Sequence, residues 1–283
     1  MRNDTAIFII THQRADKQLT LKMLKQSGYS GKVYLVVDDM DCQLQEYRKK
    51  YGDNILVFSK KKYAEKVDTH INKFRMSSAV FARNACIDTA KEMGLNFYFV
   101  CDDDIRCTYV KDGRTGKMVT HKITDIEAVL SKLVGFMENT RIHAVAFADN
   151  GAYIGGINQD VRNGVKYVLT KFMLYRTDDP VIYESIMWED QASCYRDLGV
   201  GKIDFSIMFL SAATPPNEKG AGGCAEMYKS STDYANSFMV LMARPDCVKI
   251  VPGKEGGCRM RTKQTALHPM ILHEKYRRAG ELG

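Results

Sequence analysis

Short runs of β-branched and aromatic residues alternate with stretches of helical periodicity through the first hundred positions, a pattern that predicts a sheet of parallel strands covered by helices. Ala6–Thr11, Lys32–Val37 and Ile55–Ser59 read as strands, and Lys17–Gln26 and Cys42–Tyr51 as the helices between them. Lys60–Arg75 has no clear period and reads as a loop. Ser77–Met93 is again helical and stops at Gly94, and Asn96–Cys101 is an apolar run of the length of a buried strand. Cys107–Val110 and Lys117–Thr120 flank Asp112-Gly113 and Gly116 as the arms of a hairpin.

Further along, Ile123–Glu138 is an amphipathic helix, Ala144–Ala148 a buried strand and Asn150–Gly164 a glycine-rich loop. Tyr167–Tyr175 alternates like a strand, Glu189–Leu198 is helical with Gly199 behind it, and Lys202–Leu210 is a strand. Pro215, Pro216, Gly220, Gly222 and Gly223 mark a loop before a helix over Ser230–Met242, capped by the Ser/Thr cluster with Asp233 in its first turn. No internal repeat appears. The expected fold class is α/β, a Rossmann-like mixed sheet flanked by helices in one continuous domain. Residues 1–110 form its nucleotide-binding half and residues 111–283 its acceptor-facing half.

The strand ending at Cys101 runs straight into Asp102, Asp103 and Asp104. Three adjacent carboxylates repel one another, so each must be solvated, paired or bound to a cation. Mg²⁺ or Mn²⁺, held by one or two carboxylates with substrate phosphates completing the octahedron, satisfies that requirement. The carboxyl end of a parallel strand is also where open α/β sheets bind ligands. The plainer reading is an acidic turn that caps the next helix.

Other motifs in order add to this cluster. Ile9-Ile10-Thr11-His12-Gln13-Arg14 closes the first strand, Val36-Val37 leads to Asp38-Asp39, and Ala82-Arg83-Asn84 lies on the helix before the acidic strand. The set resembles the GT-A glycosyltransferases, especially the inverting family-2 type, although the first motif lacks that family's proline. The resemblance implies a donor site in which Thr11, Arg14, Arg83, Asn84, Asp102 and Asp103 meet a nucleotide-sugar, a UDP-sugar first among them. Asp38 or Asp39 would meet the nucleoside, and Asp102 and Asp104 would hold the metal. It also points to Glu189-Asp190 as the acidic pair beside the acceptor, with Asp190 as general base; the competing reading is that both only complement a helix dipole. His268 and His273 are available as a further metal ligand, His273 being the one carried over. Trp188, the single tryptophan, reads as core, with stacking on a sugar as the other role.

Composition then narrows the class. At 283 residues, 45% hydrophobic and 27% charged, the chain has the make-up of a soluble enzyme. No stretch nears the roughly 20 apolar residues of a membrane span. The N-terminus lacks a secretion signal and the eight cysteines show no CxxC pair, so a cytoplasmic location is expected, that of the host if the gene is a phage's. The net charge is +7, and Lys249, Lys254, Arg259, Arg261, Lys263, Lys275, Arg277 and Arg278 face only Glu255 and Glu274 in one C-terminal stretch. Clustered cations attract phosphate-bearing partners, though a solvated basic face explains the charge equally well. The compact basic build resembles the phage and DNA-hydroxylase-associated glycosyltransferases that decorate 5-hydroxymethylpyrimidines in DNA. That implies DNA as acceptor, held through the basic segment, with the target base turned out of the duplex. A glycosyltransferase acting on a polysaccharide or small molecule, and a non-catalytic nucleotide- or DNA-binding module, are the alternatives.

Overall fold

The structure, a computed structural model, describes residues 1–67, 78–113, 117–153, 165–215, 233–253, 257–263, 266–269 and 271–277. β1 (Thr5–Ile10), β2 (Lys32–Asp38), β3 (Ile55–Phe58) and β4 (Phe97–Asp102) pair in parallel in the order β3-β2-β1-β4. β1 is buried at every position because it is covered on both faces, which is why it reads as a continuous apolar run. Ala6, Phe8 and Ile10 enter one core with Val36, Tyr98 and Val100; Ile7 and Ile9 enter the other with Leu35, Val37 and Phe99.

The first core lies under α4 (Val80–Glu92), in which every residue from Val80 to Ile87 is buried. The second lies under α1 (Leu19–Gln26) and α5 (Ile126–Asn139), with Tyr47 of α2 (Leu44–Tyr51) added. Asp125 caps α5 by accepting from the Ala128 N–H at 2.9 Å.

Beyond β4 the sheet becomes mixed. β9 (Lys171–Arg176) is antiparallel to both β4 and β7 (Ala144–Asp149), and β7 is parallel to β10 (Asp204–Ala213). β5 (Cys107–Asp112) and β6 (Val119–Lys122) form the expected hairpin at that edge, and β8 (Val165–Lys166) pairs with β10 off the main path. This is the mixed, helix-flanked sheet expected from the sequence. It takes strands from both sides of residue 110. Two helices remain: α6 (Glu189–Gly199) and α7 (Asp233–Ala243), which share a small third core with Val248 and Leu267.

Four expectations change. The run expected as a loop opens with a short helix, α3 (Lys60–Ala64), which buries Lys60 and Tyr63. The strand expected over Tyr167–Tyr175 starts only at Lys171: the Thr170 hydroxyl just before it donates to the Phe147 carbonyl, and Phe172, the second residue of β9, takes φ 46°. Gly199 lies inside the last turn of α6, and Gly201 at φ +84° is the residue that turns the chain out. The basic C-terminal stretch contains a separate antiparallel ribbon, β11 (Val248–Pro252) and β12 (Cys258–Thr262), where only a charged segment was expected. Most of the expected loops over 150–164 and 215–229, and the cap cluster before α7, fall outside the described residues. The described cysteines are free thiols, and no helix among the described residues is long and apolar enough to cross a membrane.

Candidate active site

The carboxyl ends of β1, β2 and β4 open into one cleft, with α4 and the start of α6 as its far wall. Because β1 lies between β2 and β4, the crevice falls where parallel sheets diverge and bind ligands. Thr11, Arg14, Asp38, Arg83, Asp102, Asp103, Asp104 and Glu189 all line it. Residues nearly 180 positions apart thus meet around one hollow.

The three aspartates do not form one knot. Asp103 turns back under β1, where its Oδ2 accepts from the Thr11 hydroxyl at 2.6 Å and its Oδ1 from Arg14 Nη1 at 2.8 Å. Tyr47 and Gln18 complete that network through the Thr11 oxygen, each at 2.9 Å. Burial nevertheless pushes the Asp103 carboxyl up to about 6, against the opposing pull of Thr11 and Arg14. Asp102 is partly exposed, with Arg83 Nη2 and Lys171 Nζ each 3.8 Å from one of its oxygens. Asp104 has its pKa raised by burial and then by the Asp102 charge, and its Oδ1 is buried without a hydrogen-bond partner. A buried, unpartnered carboxylate oxygen beside a second, partly exposed carboxylate suits a hard divalent cation.

At the end of β2, Asp38 and Asp39 are placed differently. Asp38 is buried in the lining, held by His12 Nδ1 at 2.7 Å, by the Met40 N–H at 3.2 Å and by Lys60 Nζ at 3.5 Å. Burial works against its charge, but these donors outweigh it and leave the carboxyl below its usual range. Asp39 is exposed and accepts from the Lys60 backbone N–H at 3.0 Å. The neighbouring Asp41 is satisfied by the backbone N–H groups of Gln13 and Gln43, at 2.7 and 2.8 Å.

On the opposite wall, Glu189 Oε1 accepts from Arg83 Nη1 at 2.7 Å, and the Arg83 guanidinium lies 5.3 Å from the centre of the Tyr183 ring. Asp190 follows one position on, its Oδ1 accepting from the Gln191 N–H at 2.8 Å. Burial raises the pKa of both carboxyls, and Arg83 pulls each back in part. Asn84 faces away from the cleft and exchanges hydrogen bonds with the Tyr183 backbone, at 2.7 and 3.0 Å. It thereby pins the segment that delivers Glu189. Trp188 caps α6 in the left-handed region at φ 52° and packs against two cores, in line with a core role.

His268 and His273 are not brought to the aspartates. Both lie beside Leu198–Gly201, at the far end of α6, roughly 15 Å along the helix from Glu189 by its rise per residue. His268 Nδ1 meets the Tyr167 hydroxyl at 2.7 Å, and His273 Nδ1 accepts from the Lys275 N–H at 3.3 Å. Three cleft residues had not been singled out. His12 stands inside a quoted motif, and Lys60 follows the carboxyl end of β3, so position alone could have flagged both. Lys171 begins an antiparallel strand, and only the sheet order brings it to Asp102.

Fold and cleft together are those of an α/β protein with an acidic ligand crevice at the carboxyl ends of its parallel strands. The chain belongs to the TET-associated glycosyltransferases, whose family model matches residues 5–208. No curated protein matches it. Among solved structures it is similar to glucosyl-3-phosphoglycerate synthase from Mycobacterium tuberculosis in complex with Mg²⁺ and uridine diphosphate, at 10% identity over 91% of this chain and 86% of that one, with a TM-score of 0.48. It is also similar to a mannosyltransferase from Pyrobaculum calidifontis in complex with GDP-Man and Mn²⁺, at 11% identity over 87% and 74%, with a TM-score of 0.47.

Proposed function

We propose that this glycosyltransferase moves a sugar from a nucleotide-sugar, a UDP-sugar in the first instance, onto 5-hydroxymethylpyrimidine in DNA, with inversion at the anomeric carbon. The observation that supports the donor half is the unpartnered Asp104 Oδ1 beside Asp102, in the same cleft as Asp38. Asp102 and Asp104 would hold Mn²⁺ or Mg²⁺, and that ion supplies neutralisation of the charge on the departing diphosphate. Asp38, fixed by His12 and Lys60, accepts hydrogen bonds from the nucleoside.

Asp190 takes the proton of the acceptor hydroxyl. Glu189 is in direct contact with the Arg83 guanidinium, which leaves the next carboxyl, Asp190, for that role. Residues 1–110 then serve chiefly the donor, and residues 111–283 the acceptor. The family name favours the DNA acceptor, and the basic ribbon gives the backbone a place to lie. Such an enzyme would work in the cytoplasm, where its DNA is.

Incubation with Mn²⁺, a panel of nucleotide-sugars and hydroxymethylated duplex DNA is the direct test, with released nucleoside diphosphate and labelled DNA as readouts. Asp104→Ala should abolish metal-dependent nucleotide binding. Asp190→Asn should keep that binding and lose transfer by a factor of about 10² or more. Near-normal turnover in Asp190→Asn would remove the base assignment. Transfer to a glycan or small molecule but not to DNA would replace the acceptor, and metal-independent binding without turnover would leave a binding module.

A further inference from the structure

At the opposite end of the strands from the cleft, His143, Asp197 and Asp204 converge from three elements. They come from the residue before β7, the last turn of α6 and the first position of β10. Their side chains are 0%, 4% and 0% exposed, and one ligand-type atom from each lies within 4.8 Å of the others. His143 Nδ1 is 2.7 Å from Asp204 Oδ1 and 3.7 Å from Asp197 Oδ2.

The outer atoms of this cluster are well supplied with partners. Asp197 Oδ1 accepts from Arg196 Nε and Nη2 at 3.0 and 2.8 Å, and Lys202 Nζ lies 3.4 Å from His143 Nε2. The inner atoms are not. Asp197 Oδ2 and Asp204 Oδ2 are both buried and accept no hydrogen bond. Two buried aspartates, each with an unpartnered oxygen, are an unfavourable arrangement unless a cation completes it.

The comparison with His12, Asp38 and Asp41 in the cleft sharpens the point. Those residues also converge within 4.8 Å, but backbone N–H groups and Lys60 satisfy the carboxylates there, and no ion is required. At the His143 cluster the backbone supplies nothing to the inner oxygens.

We infer that His143, Asp197 and Asp204 form a structural divalent-cation site, separate from the donor site, whose imidazole and two carboxylates suit Zn²⁺. An imidazole nitrogen with carboxylates selects a borderline ion over Mg²⁺, which prefers oxygen ligands and retained water. The 2.7 and 3.7 Å separations bracket the roughly 3.3 Å edge of a tetrahedron with bonds of about 2.0–2.1 Å. Asp179 Oδ1 lies 3.8 Å from His143 Nε2, on the side away from the two aspartates. Asp179 in turn accepts from Lys202 at 3.0 Å and from the Tyr276 hydroxyl, so the site also secures the C-terminal segment. α6 runs from Glu189 in the cleft to Asp197 here. An ion at its far end therefore anchors the helix that carries the Glu189-Asp190 pair.

The test uses the untagged full chain carrying Asp102→Asn and Asp104→Asn, so that the donor-site ion is absent. After dialysis against a weak chelator, elemental analysis should find about one zinc per chain. Exchange for Co²⁺ should give the visible absorption of a four-coordinate centre. Adding His143→Gln or Asp204→Asn should abolish both signals. If those variants fail to fold, the cobalt spectrum of the chain with all three ligands intact still decides. A folded chain with no retained zinc and no cobalt spectrum overturns the inference, as does zinc that survives Asp204→Asn.

Discussion

Asp103 illustrates how one carboxyl can shape a site through its protein partners. Thr11 and Arg14 hold it from below, and this fixes the turn that separates Asp102 from Asp104. The same burial raises its pKa to about 6, so the folded state binds a proton more tightly than the unfolded chain does. The sign follows directly. Its contribution to stability is greatest below the unfolded value near 3.9 and is lost as pH rises through 6. Between pH 5 and 7 the wild type should therefore lose about 1 kcal/mol relative to Asp103→Asn, which cannot titrate there. Urea denaturation of both proteins at the two pH values measures this; a constant difference would mean that Arg14 holds the carboxylate ionised throughout. The adjacent triplet marked this place in the sequence. Its division of labour was not legible, because which aspartate faces β1 depends on the partners Thr11 and Arg14, some 90 positions away.

The end of α6 shows a similar division between pattern and geometry. The periodicity of Glu189–Leu198 identified the helix, and the first glycine behind it was the natural stop. The left-handed turn instead falls at Gly201, where a Cβ would lie 2.5 Å from both the His273 nitrogen and the Ile271 carbonyl oxygen. Those are backbone atoms and cannot swing aside. At Gly199 the nearest atom to a Cβ is the Arg244 side-chain Cδ at 2.9 Å, which can move. Gly201→Ala should accordingly cost about 2 kcal/mol or more, and Gly199→Ala less than about 1. Denaturant midpoints would compare them, and equal losses would show that the 271–273 backbone yields. The parallel strands of residues 1–110 were legible because burial on both faces writes them as apolar runs. The β11–β12 ribbon was not legible although Val248-Lys249-Ile250 and Arg259-Met260-Arg261 alternate with period two, because a five-residue strand with charged residues on its outer face carries little apolar signal.

The assembled chain has the acidic cleft at one end of the strands, the His143 cluster at the other, and the ribbon packed on α7 beside the third core. Val248 is buried and Met260 packs into that core, so period two turns Lys249, Arg259 and Arg261 to solvent. Lys249 and Arg261 are directly opposed in the register, and Arg259 faces Val251. Like charges opposed across a strand pair are unfavourable, and no acidic side chain among the described residues pairs with these three. A polyanion laid along the ribbon would relieve that repulsion. If DNA is the acceptor, each cation releases about one counterion, and replacing all three by alanine should lower the slope of log affinity against log salt by about 2 to 3. Binding should weaken to a similar extent on every DNA sequence, because such contacts touch phosphates and not base edges. Fluorescence anisotropy with labelled duplexes over a salt series provides the measurement, with metal-dependent nucleotide binding as the control that must stay unchanged. A slope equal to that of the wild type would mean that the DNA lies elsewhere on the molecule, and the opposed cations of the ribbon would then need another anion.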